Sequence, residues 1–544
     1  MKKIFLFIMA LAAVFTLQAQ WADDPINNNH LANCSSEAGE VYLSTLGETG
    51  DIYVQWSTSG SNGWGPTLQR LTADGTPQWG ADGIRISEQN FNSYSEGFAM
   101  TATADNAVVS CFATANDQTV AVKINADGTF AWGAQGVVLF NNQGFSRTEL
   151  VAGTDGGVWA LGFDYTQHYL QYINADGTLN PCITVSAEGY SVMYGKLTLG
   201  AENSVFLTYE RVSPSMGFYR PKEIFVVGYH TDGTQIGPAV QLMSTQTFQL
   251  TYIHHAVPDG LGGGYAYIWH SGIGNAFNTY VFHYDANGAS TIADQNGTAV
   301  HSTDPTNFYL DAYGTVDHVS HDLIIAYEQT DASSQSQSRV YVNRVTSTGQ
   351  TVWGDGILVA DNNGSFYSNV KVDAFEDGSG FVVIYTKYNQ INAINSTVEA
   401  VAMNMQGDTL WTKTISSSEY ERAMCRNTTG YNRGQDVVAW VNSTTGGLYG
   451  QNIRPDGTLG PAIDPDPDPD PDPDPDPDPD PDPETGIAER TNDVVIVNVL
   501  HVFDMKGQLI MVSNLDELNT GIYILQGLTE DGRMVKQKVF INRK

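Results

Sequence analysis

Basic residues are scarce in this chain of 544: 26 lysines and arginines stand against 60 acidic residues, a net charge of −34. Nucleic acid is an unfavourable partner for such a surface, because phosphate repels it. Cysteine is scarce too. The four residues Cys34, Cys111, Cys182 and Cys425 include no C-x-x-C pair, which excludes zinc-ribbon and thioredoxin-like motifs. Beyond Leu17 no apolar run reaches the roughly 18 residues of a transmembrane segment, so none is expected in the mature chain. There is no G-x-S-x-G elbow, no G-x-x-x-x-G-K phosphate loop and no H-E-x-x-H zinc helix. Sustained helical periodicity is missing from the body, which leaves an all-β protein.

What is present starts with Met1-Lys2-Lys3 and the apolar stretch Ile4 to Leu17, followed by Gln18-Ala19-Gln20. A basic end, a short apolar run and a small residue before polar sequence describe a secretory signal peptide over residues 1–20. At the other end, residues 464–483 are ten Asp-Pro pairs, with Glu484 after them. Proline denies both helix and ladder, and ten like charges stretch the chain, so residues 464–484 form an extended spacer. The linker and Glu484 carry eleven negative charges, residues 485–544 balance, and the signal segment adds two positive ones. Residues 21–463 therefore carry −25.

That body repeats. Asp-Gly turns recur at Ala73-Asp74-Gly75-Thr76, Ala126-Asp127-Gly128-Thr129, Ala175-Asp176-Gly177-Thr178, Thr231-Asp232-Gly233-Thr234 and Pro455-Asp456-Gly457-Thr458. Variants stand at Asn287-Gly288, Thr348-Gly349 and Gln406-Gly407. These eight copies read as two-residue hairpins with positive φ at both centres. Upstream of each runs a strand often ending in an aromatic residue, such as Ile52 to Trp56 or Tyr265 to Trp269. A variable loop and a second strand into the turn come next. A third strand with Trp-Gly (Trp79-Gly80, Trp132-Gly133, Trp353-Gly354) and a short fourth follow. Four short strands about every fifty residues predict a β-propeller over 21–463, eight-bladed, with seven as the alternative. Trp21-Ala22-Asp23-Asp24-Pro25 matches Trp79 to Gly83, and the eighth repeat stops early at Leu459-Gly460-Pro461. The N-terminal segment is therefore expected to complete the last blade. Closing first to last repeat makes Cys34–Cys425 the candidate disulfide.

The turn motif is similar to the Asp-box of sialidase-like propellers, with glycine and threonine placed earlier, and it reads as scaffold. Residues 485–544 hold strands at Val494–Val497, Leu500–Phe503, Gln508–Val512, Gly521–Leu525 and Met534–Asn542, with turns at Asp504-Met505-Lys506-Gly507 and Asp531-Gly532. This order resembles the C-terminal sorting domain of the type IX secretion system, without that family's Pro-Asn-Pro opening. The resemblance implies a small immunoglobulin-like β-sandwich read by the type IX machinery of a Bacteroidetes-type cell. It implies Asp504, Gly507, Gly521, Tyr523, Lys536 and Lys538 as the signal, and a secreted or outer-membrane-surface location after periplasmic transit.

Alternating strands put the Asp-Gly turns on one face of the ring and the variable loops on the other, where function is expected. Aromatic and polar residues in those loops, Trp64, Phe218, Tyr219, Arg220, Phe277, Tyr388 and Asn389, are the candidate binding residues, because an aromatic face in a polar loop suits a sugar or an apolar partner surface. Histidines gather between His254 and His321, and facing strands are able to bring His270 and His283 together, but metal-ligand spacing is missing and hydrogen-bonded structural roles are expected. No residue stands out as catalytic, and neither metal nor cofactor is expected. The leading expectation is a binding or adhesion module for a glycan or protein. The alternatives are a carbohydrate-active enzyme, glycoside hydrolase or lyase, with a carboxylate pair in the propeller pocket, and a structural surface-coat protein.

Overall fold

A computed structural model describes residues 21–461, apart from short stretches of which the longest are 88–97, 142–147, 271–276 and 428–433, and the backbone of three strands near the C-terminus. The chain divides into two compact units, Met1–Ile463 and Asp464–Lys544. Residues 1–20 and the linker lie outside the described residues.

The first unit is an eight-bladed β-propeller: eight four-stranded antiparallel sheets, with a single 3-10 turn as the one helical element among the described residues. Blades 1 to 7 run Gly39–Arg85, Phe98–Phe140, Thr148–Val185, Ser191–Gln249, His255–Ala299, Asn307–Ala360 and Ser365–Ser417. Blade 8 takes three strands from Arg422–Ile453 and its outermost from Asn29–Ala32, so the N-terminal segment completes the last blade. The first strand of each blade packs against the first strand of the next, from blade 8 round to blade 1, and these strands line the axis.

The second strands carry apolar runs, and those of 158–163 and 437–441 are buried at every position. Period-two alternation is absent because both faces of a blade are covered by neighbours. The buried clusters sit between blades accordingly. Tyr53, Val108 and Val122 join blades 1 and 2, and Ile324, Val372 and Val383 join blades 6 and 7.

The Asp-Gly turns differ from the expected type. Gly128 has φ +85°, but Asp127 is not left-handed, nor is its counterpart in any other copy. Gly128 N–H donates to the Asn125 carbonyl at 2.8 Å, and Asn125 N–H to the Thr129 carbonyl at 2.9 Å. This is a type I turn closed by a glycine bulge, in which one residue, not two, needs positive φ. The aspartate serves as an acceptor instead: Asp127 Oδ1 takes the Thr129 amide at 2.9 Å and its hydroxyl at 2.6 Å.

The Trp-Gly segment is not a strand. After the turns of blades 1 to 6 the chain makes one bridge, such as Ile124 to Phe130, and then reaches the outermost strand, Val137–Phe140 in blade 2; in blade 7 the strand Thr409–Ser417 follows the turn directly. The tryptophan reaches the next blade. Trp79 Nε1 donates to the Ala126 carbonyl, Trp132 to Ala175 and Trp411 to Pro455, at 3.1, 3.1 and 2.7 Å. Blade 8 has Pro461 where its own tryptophan would fall, and Trp21 supplies the contact, donating to the Ala73 carbonyl of blade 1 at 3.0 Å.

In the second unit, Ile496–Phe503, Gly521–Thr529 and Met534–Ile541 form an antiparallel sheet in chain order. The two strands expected before residue 504 are one, interrupted by register shifts between Ile496 and Asn498 and between Val499 and His501. Gly521 pairs with Ile541, Tyr523 with Val539, Lys536 with Gln526 and Lys538 with Ile524. Asp504, Gly507 and the expected strand Gln508–Val512 lie outside the described residues.

Candidate functional site

Strand alternation places two sets of connections on the face opposite the Asp-Gly turns: those between second and third strands, and those from blade to blade. Across blades 4 to 6 this face carries a group of aromatic rings. Tyr252, in the connection from blade 4 to blade 5, lies 3.9 Å from Trp269 between ring centroids. Phe277 sits edge-on to both, at 5.9 and 6.0 Å, and 4.8 Å from Phe308 at the start of blade 6. Phe218 and Tyr219 of blade 4 remain 53% and 58% exposed, against a blade interior where most aromatics are sealed. The Tyr219 hydroxyl accepts from Gln249 Nε2 at 2.9 Å, and Arg220 Nε donates to the Gly217 carbonyl.

A buried ionic network holds this edge in place. Lys222 and Glu210, both fully buried, pair at 2.9 Å. Lys222 Nζ also donates to the Leu250 and Tyr252 carbonyls, at 2.9 and 2.8 Å. Glu210 accepts the His254 amide at 3.0 Å, and His254 Nε2 meets Thr208 Oγ1 at 2.9 Å. A buried pair is stable when its remaining donors and acceptors are satisfied, and here the satisfying groups are the loop 250–254 itself. The network therefore sets both Tyr252 on the outer face and His255 at the axis.

At the axis, register defines a ring of equivalent positions. In blade 4, Val205 faces the last residue before the turn, and three residues on, Thr208 faces Lys196. The same count selects Tyr42, Ala99, Glu149, His255, Tyr313, Lys371 and Arg426 in the other blades. From blade 3 to blade 7 they meet in sequence. Lys196 pairs with Glu149. The His255 ring lies 5.4 Å from Tyr267 and 5.5 Å from Tyr313, and the Lys371 ammonium sits over Tyr313. Burial lowers the His255 pKa to about 3, and the charges of Lys196 and Lys371 push the same way. Asp311, on a bulge with φ +47°, has its pKa raised by burial, and burial and Asp311 raise that of Glu328 further.

Of the sequence candidates, Phe218, Tyr219, Arg220 and Phe277 fall in blades 4 and 5 on the aromatic face. Trp64 lies in blade 1, its backbone opposite Ser59, and Tyr388 and Asn389 end a strand of blade 7 on the same face, away from that group. Tyr252, Trp269 and Phe308 were missed. Trp269 and Phe308 read as strand, and Tyr252 sits in a blade-to-blade connection with no glycine or serine to mark it. His270 and His283 are not joined: they pair with Asn278 and Tyr265, at opposite ends of blade 5. His270 stacks on Phe248 and Tyr280, while His283 meets Asp259 and Thr291. Among the described residues no three His, Cys, Asp or Glu side chains are grouped to hold a metal ion. Cys34 is a free thiol beside Gly447, and the Cys425 side chain lies outside the described residues.

No family model matches the chain, and no curated protein matches it. Solved structures do. The polysaccharide lyase Uly1 is 8% identical, over 79% of this chain and 100% of that one, with a TM-score of 0.44. Puromycin hydrolase is 13% identical, over 77% and 62%, at 0.40. Prolyl oligopeptidase B from Galerina marginata is 9% identical, over 75% and 56%, at 0.40. The chain thus spans less than two thirds of the latter two, and likenesses at this level carry no statement about activity.

Proposed function

We propose that this is an exported recognition module that binds a glycan through the loop face of blades 4 to 6. The observation that carries the reading is the open aromatic group of Phe218, Tyr219, Tyr252, Trp269, Phe277 and Phe308, held by a buried ionic network. Aromatic faces stack on the apolar faces of sugar rings, and rings fixed in advance lose little entropy on binding. Arg220 and Gln249 at the rim supply hydrogen-bond donors. Export rests on the signal peptide and on the resemblance of residues 485–544 to a type IX sorting domain, with the Asp-Pro run as stalk between ring and cell surface.

The test is a glycan array probed with the full mature chain and with Trp269→Ala and Tyr219→Ala. Capture of a defined glycan set, weakened about tenfold or more by either substitution, is the expected result. Capture of no glycan by the unaltered protein would sink the reading and favour a protein partner or a coat role.

A further inference from the structure

Charge is spread unevenly over the loop face. In the sector of the aromatic group the strands are joined by residues 213–218, 250–254, 271–277, 300–306 and 332–337, and these 31 residues hold one charged side chain, Asp304. The other connections on this face, from 33–38 round to 443–447, comprise 56 residues with nine acids and one base, Arg147. From Gly233 to Pro258 there is no Asp, Glu, Lys or Arg, a span that includes the outer strand of blade 4 and its link to blade 5. A neutral sector thus lies between acidic flanks.

Charges at the strand ends beside this sector largely cancel. Lys222 pairs with Glu210 at 2.9 Å, Arg211 with Glu223 at 2.5 Å and Arg339 with Asp361 at 2.6 Å. Arg220 is set against Asp304 and Asp331, which leaves the sector close to neutral and slightly acidic. Uncharged polarity fills it instead: 13 of the 31 linking residues are Ser, Thr, Asn or Gln. Gln249 Nε2 donates to the Tyr219 hydroxyl at 2.9 Å, and Gln246 Nε2 to Asn296 Oδ1 at 3.1 Å, so amides and a hydroxyl are fixed beside the rings.

We infer that this sector selects neutral glycans and turns acidic ones away. The inference rests on the glycan reading and narrows its substrate class. Hydroxyls and amides exchange hydrogen bonds with sugar hydroxyls without the desolvation cost of a charge. A carboxylate or sulfate ester on the glycan meets no net positive charge among the described residues and lies between acidic flanks. Like-charge juxtaposition of that kind rejects a ligand rather than holding it.

A glycan array of matched pairs tests this with the full mature chain, at about 20 mM and about 500 mM salt. The pairs are galactan oligosaccharides with and without sulfate esters, oligogalacturonates with free and with methyl-esterified carboxylates, and cello-oligosaccharides with and without carboxymethyl groups. Neutral members are expected to be captured about three- to tenfold better at the lower salt, with a narrower gap at the higher, where charges are screened within about 4 Å. Thr251→Lys puts a cation at an exposed position beside Tyr252. It should raise capture of the charged members toward that of the neutral ones and leave the neutral ones unchanged. Charged members captured as well as neutral ones overturn the selectivity and leave the glycan reading standing. A gap that neither salt nor Thr251→Lys moves also overturns it, since charge is then not what discriminates. Capture of no member removes the glycan reading, and the selectivity with it.

Discussion

His168 is the residue most at odds with its surroundings. It is fully buried between Phe163 and Tyr209, and burial outweighs the support that the Met193 and Gly162 backbone gives its ring. Burial pushes its pKa from the ordinary 6.5 to about 4. The unfolded chain takes up a proton near pH 6.5, whereas the folded imidazole resists until about pH 4. The stability tied to this residue is therefore complete above 6.5 and drains away as the pH falls through that window, by about 3 kcal/mol in all. Urea unfolding at pH 7.5 and 4.5 should show a smaller loss for His168→Leu than for the unaltered protein; equal losses would show that His168 does not contribute. The turn aspartates act lower on the scale. Asp127, Asp176 and Asp232 are held below the usual carboxylate range by their threonine hydrogen bonds, so what they contribute is present above about 3.8 and is lost only in stronger acid.

At the scale of the element, the blade-to-blade tryptophan contact differs in burial from copy to copy. Trp21 is 1% exposed and packs on the Gly75 turn, where a Cβ on the glycine would come within 2.5 Å of the indole. Trp132 makes the same hydrogen bond from a partly open position. Removing a sealed indole costs about 3–5 kcal/mol through lost burial and cavity formation. Trp21→Ala should therefore lower the urea midpoint clearly more than Trp132→Ala does, and Trp21 also joins the two chain ends of the ring. An equal or smaller shift would mean that closure depends on the Asn29–Ala32 strand alone. The repeat was legible in the sequence because Gly and Trp recur four residues apart at Gly75, Gly128, Gly349 and Gly407. What the tryptophan does was not, because its partner lies a whole blade away in sequence.

For the molecule as a whole, the two units have different proposed tasks, and each is a compact unit of its own. Deleting residues 485–544 should leave the thermal unfolding of the ring unchanged while trapping the protein in the periplasm of its own cell. Fractionation and surface labelling check this, and unchanged surface display would remove the sorting role. The proposed recognition task belongs to one sector of the ring, where blade 4 has the longest third strand of the first six blades, Tyr219–Tyr229. The network of Lys222, Glu210 and His254 lies beneath that sector, which ties its geometry to the fold rather than to loop conformation.

Eight blades, ring closure by the N-terminal segment and the placement of scaffold turns followed from local sequence alone. A turn needs a glycine at one φ and an acceptor two residues before a threonine, and both signals lie within five residues. The turn type itself came out differently, since Asp-Gly is equally compatible with two left-handed residues or with one. The proposed binding sector was half legible. Phe218, Tyr219, Arg220 and Phe277 stood out in polar loops, whereas Trp269 and Phe308 look like any strand aromatic. The axial ring was invisible, because Glu149, Lys196, His255, Tyr313 and Lys371 are about fifty residues apart and share no motif. Only the register of first strand against second, blade after blade, brings them to one level on the axis, and only closure of the ring makes that level continuous.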